Sequence, residues 1–159
     1  MSEQRTAKRF DEAKSVPYCT FRLAEHLFGV PILDVKEVNA ATLFTVVPHA
    51  PAEVCGYVNL RGWIFLVLDL RLMLGLEPGE VKPDSRLVLF KPEVGESFAV
   101  LVDQIGDIVR LDSDHIEQDR PSDTLRADLI TGVGKLENEL LIVLEPRRFL
   151  GAIKRAIAV

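Results

Sequence analysis

Apolar residues arrive along this chain in short bursts separated by turn formers. Tyr18-Cys19-Thr20-Phe21-Arg22-Leu23 alternates in part, as a half-buried strand does. Phe28-Gly29-Val30-Pro31-Ile32 follows a turn at Glu25-His26, and Ala41–Val47 runs to Pro48. Tyr57–Leu60 and Trp63–Leu68 flank Arg61-Gly62 like the arms of a hairpin, with Gly62 tolerating the positive φ of a tight turn. Leu72-Met73-Leu74 predicts one helical turn stopped by Gly75. Further strands are predicted at Leu87–Phe90, Phe98–Val102, Ile105–Leu111, Ile130–Val133 and Leu140–Leu144. Short strands at this spacing, without long helical crossovers, predict a mainly-β sandwich or barrel with short helices and argue against a parallel α/β sheet. After Pro146, the segment Arg147 to Ala158 places Phe149, Leu150, Ile153 and Ile157 at helical spacing, which predicts a helix capping the barrel.

The same pattern organises the chain. Residues 1–15 show no apolar periodicity and are expected to be a flexible tail. Residues 16–150 are expected to form a single domain, and residues 151–159 to end a basic amphipathic helix that includes Lys154 and Arg155. The clearest internal linker is Glu77–Asp84, with two Pro and a Gly in eight residues.

Charge narrows the function classes. The chain has 159 residues, 48% of them hydrophobic, and a formal net charge of −5. Nucleic-acid binders need a basic face that releases counterions, so a small nucleic-acid-binding β-barrel is a weak alternative. No stretch reaches the roughly 18 apolar residues of a membrane span, and the polar start lacks a signal-peptide core. A cytoplasmic protein without membrane insertion is expected, with Cys19 and Cys55 as buried thiols rather than a disulfide.

Catalytic patterns fail one after another. No GxSxG elbow is present, and His26, His49 and His115 lie far apart with no zinc spacing. Asp112-Ser113-Asp114 starts like a calcium loop but lacks its glycine, so it is read as a turn or as a cap for a short helix at His115–Glu117. Gly132-Val133-Gly134-Lys135 resembles the end of a phosphate loop, yet Leu136 stands where Ser or Thr is needed; Gly134 is expected to help a turn between strands. The carboxylate pairs Asp11-Glu12 and Glu137 with Glu139 sit in no apolar run that would tune an acid. A non-catalytic protein with no cofactor and no metal is expected.

Gly56-Tyr57-Val58-Asn59-Leu60-Arg61-Gly62, an apolar strand and then Asp69-Leu70-Arg71 resemble the GxxNLRG…DLR signature of the CheW-like chemotaxis coupling (adaptor) proteins. Phe28–Ile32, Val35-Lys36-Glu37-Val38, Val47-Pro48, Val100-Leu101-Val102-Asp103 and Leu129–Val133 with Leu140–Leu144 extend the likeness from about Tyr18 to Leu150. The resemblance implies two small intertwined five-stranded SH3-like barrels with a groove between them, and a scaffold rather than an enzyme. It implies as partners the cytoplasmic coiled-coil tip of a chemoreceptor and the regulatory domain of a histidine autokinase, with recruitment to membrane receptor arrays. It implies a receptor groove at Val35, Glu37, Val38, Asn59, Leu60, Arg61 and Gly62, in which Glu37 and Arg61 pair and Val35, Val38 and Leu60 form an apolar floor. Val35 and Val38 are expected to share a face only if their segment is helical. An adaptor of a non-chemotactic chemosensory pathway, driving surface motility or a second-messenger output, is an equally compatible role.

Overall fold

A computed structural model describes residues 14–41, 43–118 and 126–157, the last four by backbone alone. Strands β1 (Ser15–Leu23) and β2 (His26–Pro31) open the chain. They are followed by β3 (Val35–Ala40), β4 (Val54–Leu60), β5 (Trp63–Asp69), the one-turn helix α1 (Leu70–Met73), β6 (Arg86–Phe90) and β7 (Phe98–Val102). Then come β8 (Gln104–Asp112), β9 (Ile116–Glu117), β10 (Ile130–Lys135), β11 (Leu140–Leu144) and helix α2 (Phe149–Ile157). The middle of the chain builds a five-stranded sheet in the order β3-β6-β7-β5-β4. The two ends build a six-stranded sheet in the order β8-β1-β2-β11-β10-β9. Neighbours are antiparallel except β2 with β11 and β5 with β7. One sheet is therefore inserted within the other along the chain, which is the intertwined mainly-β architecture the family resemblance implies, with the two-residue β9 as the extra strand.

Three apolar clusters explain the apolar bursts. Val58, Phe65, Val67, Leu87, Leu89 and Ala99 fill one face of the middle sheet. Tyr18, Leu27, Leu111, Leu141 and Val143 fill one face of the terminal sheet. A third cluster lies between the sheets and takes Phe21, Phe28, Leu144, Phe90, Phe98 and Val100, with Phe149 of α2 among them. Strand β6 sends Leu87 and Leu89 to one cluster and Val88 and Phe90 to another, so it must be apolar at consecutive positions. Strand β11 divides Leu141 and Val143 from Ile142 and Leu144 in the same way.

Several expectations move. The strand is Val35–Ala40, not Ala41–Val47; among the described residues of that run only Thr45 forms a bridge, to Tyr57. Leu43 and Val46 are exposed, while Ala41 and Phe44 pack against the interior cluster of the middle sheet, so the run covers that barrel as an irregular segment rather than as a strand. Ser15 already belongs to β1, and Lys14 pairs with Asp114, while residues 1–13 lie outside the described residues. Glu77–Asp84 joins α1 to β6 inside the middle sheet; the chain changes sheets at Ile32–Asp34 and at Asp103. Asp112 does act as a cap, accepting from the Asp114 N–H, but the turn is Ser113–His115, and Ile116-Glu117 is strand. Gly134 lies within β10 rather than in a turn. A Cβ there would stand 2.4 Å from Leu111 Cδ1, so the glycine admits that side chain.

Phe149 is fully buried, edge-on to Phe90 at 6.0 Å, and Phe90 stacks on Phe98 at 5.0 Å. Phe149→Ala is expected to destabilise the fold by about 3–5 kcal/mol, measured by urea unfolding. A loss below about 1 kcal/mol would show that α2 does not seal the core between the sheets.

Candidate functional site

The turn between β4 and β5 is two residues long, with Leu60 paired to Trp63 across it. Arg61 has φ 54° and Gly62 φ 88°, both in the left-handed region, the arrangement that matches the twist of a hairpin. Asn59 Oδ1 accepts from the Gly62 N–H at 2.9 Å and pins the turn. Glycine is at ease here; a long side chain at Arg61 is not, and residues held in this region cost roughly 1–3 kcal/mol.

Strands β3 and β4 are the two edges of the middle sheet. Arg61, beside β4, reaches Glu37 on β3. Its Nη2 donates to Glu37 Oε1 at 2.6 Å and to Oε2 at 2.5 Å. The pair therefore joins one edge of the sheet to the other and closes the mouth of the barrel. Asn39 Nδ2 donates to Glu37 Oε1 at 2.9 Å, and the Lys36 ammonium lies 5.5 Å from the ring centre of Phe65 on β5, the strand next to the far edge. The hydrogen bond from Arg61, then that from Asn39, holds the Glu37 carboxyl below the usual range for a glutamate. Arg61 remains 65% exposed against 27% for Glu37. Its Nε and Nη1 have no partner among the described residues.

Register decides where the valines point. Val35 faces Phe90, Glu37 faces Leu89 and Val38 faces Val88, with a bulge between Val35 and Glu37. The extra residue, Lys36, puts Val35 and Val38 on one face of an extended strand, so helical backbone is not needed. Phe90 and Val88 belong to the core between the sheets; Val35 packs against it and Val38 stands at its rim, 40% exposed. Glu37 and Asn39 face the other way, opposite Leu89 and Leu87 of the barrel interior. Leu60 is half-buried against that interior. The predicted site residues thus divide between a mouth (Glu37, Asn59, Leu60, Arg61, Gly62) and an adjoining outer rim (Val35, Val38).

Sequence reasoning missed Asn39, Tyr57 and Ile64. The period of two in Glu37-Val38-Asn39 could have placed Asn39 beside Glu37. Tyr57 and Ile64 are exposed and share the outer face with Asn59, which pairs with Ile64. The thiols stay inert: burial, with Asp69 nearby, pushes Cys55 up to about 12, burial raises Cys19, and both are free. The three histidines are exposed, and no cluster of metal-ligating side chains occurs among the described residues.

The profile of the CheW-like domain matches residues 17–154. The chain belongs to the CheW-like domain family. It is 33% identical over 128 residues to the chemotaxis protein CheW of Rhizobium meliloti, covering 79% of this chain and 81% of that one. It is 27% identical over 156 residues to the CheW of Klebsiella aerogenes, covering 95% and 91%. The crystal structure of the scaffolding protein TtCheW from Thermoanaerobacter tengcongensis superposes with a TM-score of 0.74 at 29% identity, over 81% of this chain and 83% of that one. These CheW relatives favour chemotaxis over the motility, second-messenger and nucleic-acid readings. Among the described residues, no helix is long and apolar enough to cross a membrane.

A lowered Glu37 carboxyl fixes the sign of a pH effect. The pair's stabilisation is in full force above the ordinary glutamate value of about 4.3 and is lost as pH falls through the lowered value. The unfolding free energy of Glu37→Gln, from urea titration, should therefore lie below that of the parent at pH 7, by less than about 1 kcal/mol, and the gap should shrink as the medium is acidified. A gap that widens with acid would contradict the assignment.

Proposed function

We propose that this CheW-like chain is a chemotaxis adaptor that couples chemoreceptors to a histidine kinase, and that it takes the receptor at the barrel mouth around Arg61. The observation that carries the site is Arg61 itself. It occupies a backbone conformation that suits glycine or asparagine better, one nitrogen is fixed by Glu37, and the rest of the guanidinium is offered to solvent. Val38 and, on the hairpin, Tyr57, Trp63 and Ile64 add exposed apolar surface. A rigid cation flanked by apolar side chains suits the amphipathic helix of a receptor coiled-coil tip, which would lay an apolar stripe on the rim and an acceptor against Arg61. The kinase partner is its regulatory domain, met barrel to barrel, and the role is that of a scaffold without catalysis at the receptor array.

Arg61→Ala should weaken binding of a chemoreceptor cytoplasmic fragment by about 1–2 kcal/mol in a calorimetric titration, because a partly desolvated arginine is a typical anchor. Its thermal midpoint should move little, since an exposed pair contributes at most about 1 kcal/mol. Undiminished affinity would remove Arg61 from the interface.

A further inference from the structure

At each passage between its two sheets the chain carries an aspartate held by an arginine. At the first, Asp34 in the turn Ile32–Asp34 accepts from Arg147 Nη1 at 3.0 Å. At the second, Asp103, between β7 and β8, accepts from Arg71. Arg71 Nη2 donates to Asp103 Oδ2 at 2.5 Å, and Nε donates to Oδ1 at 3.0 Å. The second pair is the better built. Asp103 Oδ2 also accepts from the Ala24 N–H at 2.8 Å, and the Asp103 N–H donates to the Arg22 carbonyl at 3.0 Å; both partners belong to the β1–β2 end of the terminal sheet. Ala24 sits at φ 55°, so its N–H is aimed at the carboxylate by a backbone that must be held in place. On the other side Arg71 Nη1 donates to the Glu77 carbonyl at 2.9 Å. Gly79 lies so close to the guanidinium that a Cβ would come within 2.7 Å of Cζ.

We propose that Arg71 and Asp103 lock the middle sheet to the terminal sheet, and that Arg71 is a positioning residue for the partner site at the far end of β5. The geometry supports this in three ways. Arg71 is the second residue of α1, which follows β5 directly, and β5 begins at the Arg61-Gly62 turn, so one strand of roughly 23 Å carries the site at one end and the lock at the other. A cleft of about 610 Å³ opens between the sheets, with Arg22, Ala24 and Gln104 on one wall and Pro78, Gly79, Lys82 and Ser85 on the other, and the pair joins the two walls. The pair is also largely withdrawn from water, with Arg71 20% and Asp103 31% exposed, where losing one partner leaves a charge without its counterpart. With this lock open, the polar tie left between the sheets at this passage is the backbone hydrogen bond from Asp103 to Arg22.

The binding half of this inference rests on the proposed receptor role; the lock itself does not. The test uses the full chain with Arg71→Gln, Arg71→Lys and Asp103→Asn, reading amide hydrogen exchange at Ala24 and affinity for a chemoreceptor cytoplasmic fragment. Arg71→Gln should speed Ala24 exchange and weaken binding, each by roughly fivefold or more, with the far-ultraviolet circular dichroism unchanged. Arg71→Lys should restore part of both, since an ammonium pairs with the carboxylate but cannot fork across it. Arg61→Ala should weaken binding and leave Ala24 exchange alone. If Arg71→Gln does not fold, Asp103→Asn replaces it, because its side-chain oxygen can still accept from Ala24 while the charge is gone. Unchanged Ala24 exchange would overturn the lock. Faster exchange with unchanged affinity would overturn the positioning role. Failure of the unaltered protein to bind the receptor fragment would overturn the receptor reading and, with it, the positioning role, while Ala24 exchange would still decide the lock.

Discussion

Everything in this fold depends on two sheets that share one apolar layer. Phe21, Phe28 and Leu144 from the terminal sheet meet Phe90, Phe98 and Val100 from the middle sheet, and Phe149 enters from the last helix. Each sheet also has an interior of its own, so its central strands are buried on both faces. Strands of that kind cannot alternate. In β6, β7 and β11 this requires apolar residues at consecutive positions, and charge is better tolerated at turns and edges. Most of the polar chemistry described above consequently lies at sheet edges, hairpin tips and the two passages between sheets; the exceptions sit on β1, where buried Thr20 donates to the Asp107 carbonyl and Arg22 pairs with Glu139.

The ion pairs divide along the same lines. Glu37–Arg61 closes the mouth of the middle barrel, where ladder hydrogen bonds between β3 and β4 do not form. It is too exposed to carry much stability, and its effect is positional: it holds a cation at a fixed place on a turn. Arg71–Asp103 is more withdrawn. Burial works to raise the Asp103 carboxyl, yet the hydrogen bonds from Arg71 and Ala24 outweigh it and hold it below the usual aspartate range. One pair thus faces outward and the other inward, at opposite ends of β5.

Much of this was legible in the sequence. The bursts at Leu87–Phe90, Phe98–Val102 and Leu140–Leu144 correspond to β6, β7 and β11, and the hairpin at Arg61-Gly62 is where its glycine and flanking runs imply. The likeness in GYVNLRG and DLR led to the family, and the Glu37–Arg61 contact followed from it. What stayed hidden was non-local. Strand β3 reads as polar because Lys36 and Glu37 interrupt it, and only the bulge explains how Val35 and Val38 share a face. Ala41–Val47 looks like a strand, but its residues divide irregularly: Ala41 and Phe44 pack on the interior of the middle sheet, Leu43 and Val46 are exposed, and Thr45 makes an isolated bridge to Tyr57. Glu77–Asp84 looks like a lobe boundary because Pro and Gly mark exposed connections, and no composition rule tells a connection within a sheet from one between sheets. The passages at Asp34 and Asp103 are short and carry neither Pro-Gly runs nor charge blocks.

The most direct test of the adaptor account is co-sedimentation of this protein with a histidine autokinase and a chemoreceptor cytoplasmic fragment from the same cell, with kinase autophosphorylation read in the pellet. The account predicts a ternary complex with raised kinase activity, lost when Arg61→Glu replaces the parent chain. A protein that sediments with neither partner would contradict it, leaving a CheW-like fold whose work lies elsewhere.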